Sequence, residues 1–237
     1  MEPELIIKLD GLKKHYPIGG GHFTALNGIN LEFTKGEFAA LIGPSGSGKT
    51  TIINIMGSLD IPSEGKVSFK EYSLGNLDAR TAASIRSSEM GFIFQTYNLL
   101  PVYTVFENVE LPLLLLGLQR ATRKKMVQDA IEWVGLKDKI RSKPAQLSGG
   151  ESQRVAIARA MVKKPTVVFA DEPTANLDAA NSHHILRTME KLNQELQTTF
   201  IFATHDEKVI NYVRRRIYLS DGQVVRDERV IPQRKED

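Results

Sequence analysis

The stretch Gly43-Pro44-Ser45-Gly46-Ser47-Gly48-Lys49-Thr50 constrains this chain more than any other. It has the spacing G-x-x-x-x-G-K-[ST] of a phosphate-binding loop, which needs a strand before it and a helix after it. Both are legible. Phe38-Ala39-Ala40-Leu41-Ile42 is short and wholly apolar, as a buried strand is, and Thr51 to Met56 continues from Thr50 as a helix start. The glycines let backbone N–H groups converge on an anion with no Cβ in the way. The helix start adds unpaired N–H groups and the positive end of a dipole. In such a loop Lys49 reaches the β- and γ-phosphates of a nucleotide, and the Thr50 hydroxyl ligates Mg²⁺.

Composition narrows the rest. A chain of 237 residues is long enough for one large domain or a domain with a subdomain. The net charge of +3 does not indicate a nucleic-acid surface, so no direct nucleic-acid partner is expected. With no cysteine there are no disulfides and no thiolate metal sites, which suits a reducing compartment. The start Met1-Glu2-Pro3-Glu4 is acidic and lacks a signal-peptide pattern. The most apolar run, Val109 to Leu118, carries Glu110 and Pro112 and spans 10 residues. A membrane-crossing helix needs roughly 20, so the chain is not expected to cross a bilayer by itself.

Before the loop, Leu5 to Leu9 and the alternating run Leu26 to Phe33 read as strands, separated by the turn Gly19-Gly20-Gly21. After it, Lys66 to Phe69 reads as a strand, Asp78 to Glu89 as a helix, and Met90 to Phe94 as a strand ending in Gln95. A polar residue at the C-terminal end of a parallel strand sits where ligands bind in open α/β sheets. The pattern predicts an α/β fold: a core with a mainly parallel sheet, an N-terminal antiparallel β layer and an inserted helical subdomain. The core takes residues 1–95 and 165–237, and the helical subdomain takes 96–164. Within the subdomain, Val105 to Leu118 is helical with an interruption at Pro112, and Thr122 caps a helix from Arg123 to Val134. The basic residues Arg120, Arg123, Lys124 and Lys125 read as a solvated helix surface, and Arg214-Arg215-Arg216 as a solvated charge run.

Two more stretches carry chemistry. Leu147-Ser148-Gly149-Gly150-Glu151 opens a helix from Ser152 to Val162; a serine with two glycines there is either a plain cap or a second anion site. Pro165 to Ala170 is a buried strand ending in Asp171-Glu172, two carboxylates suited to a Mg²⁺-water partner and a general base. Phe200 to Ala203 repeats the form, an apolar strand leading through Thr204 to His205-Asp206. Ile217 to Val225 reads as a closing hairpin, and the polar tail from Pro232 as frayed.

In order and interval, six elements resemble the ATPase subunit of ATP-binding-cassette (ABC) transporters: Gly43 to Thr50, Gln95, Leu147 to Glu151, Val167 to Glu172, Asn176-Leu177-Asp178, and His205. The stretches Phe94 to Pro101 and Asp171 to Asp178 resemble the branch containing the lipoprotein-releasing, macrolide-export and cell-division ATPases. Glu151 stands where glutamine is frequent. The resemblance implies ATP and Mg²⁺ as cofactors. It implies that Gly43, Ser45, Gly46, Ser47, Gly48, Lys49, Thr50 and Thr51 hold the phosphates, and that Tyr16 stacks on adenine. Thr50 and Gln95, with Asp171 through water, would arrange the metal. Glu172 would polarise the attacking water, with His205 and Lys49 at the γ-phosphate. Ser148, Gly149, Gly150 and Glu151 would meet the nucleotide of a second subunit, and Asp178 would cross the same interface. The implied assembly is a homodimer closing over two ATPs beside integral membrane permease subunits, cytoplasmic and peripheral on the inner face of the cell membrane. A non-transport ATPase of the cell-division type is the alternative.

Overall fold

The computed structural model describes residues 4–232. The tail expected to fray therefore lies outside the described residues beyond Pro232. Two sheets organise the rest. The first is antiparallel, in the order β2-β1-β4-β5, with β1 Leu5–Ile18, β2 Gly21–Thr34, β4 Glu64–Phe69 and β5 Tyr72–Ser73. The second is mainly parallel, in the order β10-β9-β3-β8-β7-β6, with β3 Phe38–Ile42, β6 Met90–Ile93, β7 Val167–Asp171, β8 Thr199–Thr204, β9 Arg215–Ser220 and β10 Gln223–Arg229. Only β9 and β10 pair antiparallel in it.

The central strands explain their own sequence. Successive side chains of a strand point to opposite faces, and a parallel sheet covered on both faces reads as continuous hydrophobic runs. Phe38, Ala40, Phe200 and Phe202 enter one core, shared with Val105, Val127, Ile157, Ile185 and Val209 of the helices. Ala39, Leu41, Ile201 and Ala203 enter the other, shared with Ile52 of α1 and Ile7 and Phe33 of the antiparallel sheet. The sheet is thus a partition between two apolar cores. The helices are α1 Lys49–Met56, α2 Ala79–Glu89, α3 Val105–Leu115, α4 Arg120–Trp133, α5 Gly149–Met161, α6 Ala179–Leu196 and α7 Glu207–Tyr212. No strand lies between β6 and β7, and α3, α4 and α5 pack on one another in that interval.

Several expectations are corrected. β1 and β2 run well past Leu9 and before Leu26, because Lys13 to Ile18 pairs with Gly21 to Asn27 around the tight Gly19-Gly20 turn. Pro112 does not interrupt α3. The helix passes through it, with Val109 and Leu113 fully buried on either side, and ends at Leu115. Thr122 is not the cap of α4: the Arg123 N–H already bonds to the Gln119 carbonyl at 3.0 Å, so the helix begins a turn earlier. Arg123 is not simply solvated, since it reaches Glu110 at 2.8 Å with only 18% of its side chain exposed. Arg215 is a fixed part of β9 rather than a charge in water. It bonds Glu37 at 2.9 Å and Asp227 at 2.7 Å and is 12% exposed. The amphipathic α6 and the short α7 had no counterpart in the sequence reading. α6 buries Ile185, Leu186, Met189 and Leu192 along one stripe, as a surface helix does.

Candidate nucleotide site and its surroundings

The loop from Gly43 to Gly48 joins the end of β3 to the start of α1, so a fully buried strand inside the sheet aims it. Gly48 caps α1 in the left-handed region, φ 101°, and a Cβ there would lie 2.6 Å from Leu26 Cδ2 and 3.0 Å from the Ala25 carbonyl. Lys49 is nearly buried and donates to the carbonyls of Gly43 at 2.7 Å and Pro44 at 2.9 Å, which holds its amine across the loop. The Ser47 hydroxyl is buried beside them without a hydrogen-bond partner. A buried polar atom is expensive to leave unpaired. An unpaired hydroxyl in a glycine-rich loop at a helix start fits a loop that holds an anion.

Beside the loop, Thr50 Oγ1 donates to Asp171 Oδ2 at 3.1 Å. Burial pushes the Asp171 carboxyl above its ordinary range; the Glu172 charge adds to this, while the Thr50 bond and Lys49 oppose it. A hydroxyl and a half-buried carboxylate in contact are hard oxygen donors, the ligand type Mg²⁺ takes. Glu172 follows at φ 45°, a strained conformation for a side chain of its size. Its Oε1 lies 2.6 Å from His205 Nδ1, and its Oε2 accepts from Thr204 Oγ1 at 2.9 Å. The parallel register of β7 and β8, with Asp171 opposite Ala203, brings these residues together from positions 33 apart. Glu172 is thus a carboxylate held at both oxygens and lining a cleft, a geometry that suits a general base.

The cleft itself encloses about 340 Å³. It is lined by Tyr16, Phe23, Ala25, Ser45, Gly46, Gly48, Lys49, Thr50, Thr51, Gln95, Asp171 and Glu172. The structure therefore gathers most of the expected residues around one space, with Gly43 and Ser47 in the loop beneath it and His205 joined through Glu172. Ser148, Gly149, Gly150, Glu151 and Asp178 do not line it. Ser148 caps α5 by accepting from the Glu151 N–H at 3.2 Å, and Glu151 turns back to accept from the Ser148 N–H at 2.8 Å. Those bonds, with Lys139 nearby, hold the Glu151 carboxyl below its usual range. Asp178 caps α6 through the Asn181 N–H at 2.8 Å. A Cβ on Gly150 would lie 2.4 Å from Asn181 Oδ1, so the starts of α5 and α6 are in direct contact. Phe23 and Thr204 were missed in the sequence. Phe23 is the cross-strand partner of Tyr16, a relation visible only once the hairpin register is known.

A glycine-rich loop between strand and helix, a hydroxyl–carboxylate pair beside it and a held carboxylate, all on a mainly parallel sheet, are the arrangement of a P-loop nucleotide-binding protein. Residues 26–175 match the family model described as ABC transporter. The ABC transporter ATP-binding protein MJ0796 of Methanocaldococcus jannaschii is 41% identical over 229 residues, covering 95% of this chain and 97% of that one. A dimeric structure of MJ0796 bound to ADP and Pi superposes with a TM-score of 0.88, covering 98% of this chain and 100% of that one at 40% identity. The lipoprotein-releasing system ATP-binding protein LolD of Geobacter metallireducens is 41% identical, covering 94% and 99%. The macrolide export ATP-binding/permease protein MacB of Marinobacter nauticus is 40% identical over 96% of this chain but only 35% of its own length. The chain belongs to the ABC transporter family, as an ATP-binding subunit with ATPase function. No helix among the described residues is long and apolar enough to cross a membrane.

Proposed function

We propose that this chain is the Mg²⁺-dependent, ATP-hydrolysing subunit of a transporter, working as a head-to-tail homodimer with two ATPs between its copies. The observation that supports the reading is the juxtaposition, in one cleft, of Lys49, the Thr50–Asp171 pair and the clamped Glu172, with the orphan Ser47 hydroxyl in the loop beneath. Lys49 and the loop N–H groups bind phosphate, Tyr16 stacks on the base, and Thr50, Gln95 and Asp171 surround the metal. When bound, the metal neutralises phosphate charge as it develops. Glu172 orients water and takes its proton, while His205 holds the carboxylate in place. The exposed start of α5 at Ser148 and Gly149 lies outside its own chain's cleft, so a second copy supplies it there. A two-fold pair satisfies both clefts at once.

Residues 96–164 act as a unit against the core 1–95 and 165–237. Between them runs a groove of about 520 Å³ lined by Leu59, Phe92, Phe94, Leu111, Pro112 and Leu115, among others. It is larger than the cleft that holds the chemistry, and it is mostly apolar. We assign it to a cytoplasmic helix of a membrane permease, which places the protein at the inner face of the membrane. The relatives' names support a transport role, in lipoprotein release or macrolide export, over the cell-division alternative. Purification from membranes with identification of the bound integral protein, followed by ATPase assays with and without it, tests this. Leu115 is 73% exposed at the groove. Leu115→Glu is expected to keep basal ATPase and lose stimulation. Unchanged stimulation refutes the docking assignment.

A further inference from the structure

The base-binding end of the cleft is braced from behind by residues the family motifs do not include. Tyr16 Oη donates to Asp60 Oδ2 at 2.9 Å. The other oxygen of Asp60 accepts from Lys14 Nζ at 2.6 Å and from the Ile61 N–H at 2.8 Å. Lys14 also donates to the Ile61 carbonyl at 2.9 Å, lies 5.0 Å from the centre of the Tyr16 ring, and is only 8% exposed. A lysine this deeply covered is unusual unless paired. Lys14 and Tyr16 flank an irregularity of β1 at Lys14/His15, and the lysine's place over the ring sets both on the same side. Asp60 sits just after α1, and its N–H and that of Leu59 return to the Asn54 carbonyl of that helix. The helix that carries Lys49 and Thr50 is thereby tied, through one carboxylate, to the aromatic ring at the other end of the site. Lys14 and Asp60 do not line the cleft, whereas Tyr16 and its cross-strand partner Phe23 do.

We infer that Asp60 and Lys14 are positioning residues that fix the Tyr16 ring as a platform for a purine base, at a set distance from the phosphate loop. This rests on the reading of Tyr16 as a base-stacking residue. The physical case has two parts. A tyrosine on a hairpin has two side-chain torsions to lose when a base binds, and the Asp60 bond removes that freedom beforehand, so less of the stacking energy is spent on ordering. The ammonium of Lys14 at cation–π distance draws on the ring's electrons from its buried side, leaving the cleft side to meet the base.

The test compares ADP with inorganic pyrophosphate, each with Mg²⁺, by calorimetry. Both ligands use the phosphate loop, and only ADP uses the platform. Tyr16→Ala is expected to weaken ADP by about 5- to 100-fold, from the ~1–3 kcal/mol typical of base–aromatic stacking. Asp60→Ala and Lys14→Met, which keep the ring, are expected to weaken ADP by about 3- to 10-fold, the scale of one net hydrogen bond. Pyrophosphate should stay within about twofold, well under the ~1.4 kcal/mol that a tenfold change represents. Tyr16→Phe keeps the ring and removes the hydroxyl that meets Asp60 and Thr51; read beside Lys14→Met, which leaves Thr51 untouched, it carries the test if Asp60→Ala does not fold. Equal loss of both ligands would mean that the brace only supports α1, and would overturn the positioning role. An unaltered ADP affinity in Asp60→Ala, Lys14→Met and Tyr16→Phe, alongside a loss in Tyr16→Ala, would overturn the brace and leave the platform standing. An unaltered affinity in Tyr16→Ala would remove the platform, and the brace with it.

Discussion

Glu172→Gln separates binding from turnover. In the structure one oxygen of Glu172 faces His205 Nδ1 at 2.6 Å and the other accepts from Thr204 at 2.9 Å. An amide is the same size and keeps one acceptor, so the side chain stays where it is and the Thr204 bond survives. What disappears is the basic lone pair and one negative charge beside Asp171. General-base assistance is worth roughly 10²–10⁴-fold in rate, or about 3–5 kcal/mol of barrier. Losing a carboxylate from a cleft that receives a polyphosphate also removes like-charge repulsion, so affinity for Mg²⁺-ATP is expected to hold or rise. The variant should bind ATP, release phosphate at least about a hundredfold more slowly, at the lower end of that range, and elute as an ATP-dependent dimer. The wild type should dimerise only transiently, because in the proposed assembly hydrolysis would cut the phosphate link between Lys49 of one copy and Ser148 of the other. Size-exclusion chromatography with Mg²⁺-ATP and a phosphate-release assay read both quantities. Near-normal turnover refutes Glu172 as the base. A variant saturated with ATP but still monomeric refutes the shared site.

Glu151→Gln should change ATP-driven dimerisation by less than about 1 kcal/mol, the value of a carboxylate at a helix start, because the Glu151 carboxylate already bonds the Ser148 N–H rather than facing the cleft; tenfold tighter dimerisation would show that it meets phosphate after all. Gly150→Ala places a methyl against Asn181, and should abolish the dimer of the Glu172→Gln protein while leaving nucleotide binding to the single chain intact, as titration with a fluorescent nucleotide would report. Arg215→Met should lower unfolding free energy by about 1–3 kcal/mol, below the cost of breaking a fully buried pair, since Glu37 keeps Thr34 and Arg229 while Asp227 loses its bonds to Arg215; urea melts with a change under about 0.5 kcal/mol would contradict the bracing role of that cluster. Burial lowers the Lys163 amine to about 8, so between that value and its ordinary 10.5 the unfolded chain binds more protons than the folded one, and this group's contribution to stability should rise with pH across that window. Stability of wild type relative to Lys163→Met, followed over the same range, should improve with pH, and a flat difference would argue against a buried amine.

The phosphate loop was legible in the sequence because its chemistry is local. A strand, a glycine turn, a lysine and a hydroxyl residue follow one another within a dozen positions, and each does its work through backbone geometry that eight residues determine. The strand ends at Asp171-Glu172 and His205-Asp206 were legible for the same reason, an apolar run stopping in polar side chains. Helix α6 carries an apolar stripe, Ile185, Leu186, Met189 and Leu192, whose period is equally local. Other features depended on register and packing, which no short stretch encodes. Whether Arg215 is solvated depends on β10 bringing Asp227 beside it and on Glu37 lying across β3. Whether Pro112 breaks α3 depends on the burial of Val109 and Leu113, which outweighs one missing hydrogen bond. The pairing of Tyr16 with Phe23 needs the full length of the hairpin, and the meeting of Glu172 with His205 needs two parallel strands laid side by side. The sequence by itself determined which groups this protein can use; tertiary structure decided which of them stand together, because contacts between residues far apart in the chain are set by how the two cores close on either side of one sheet.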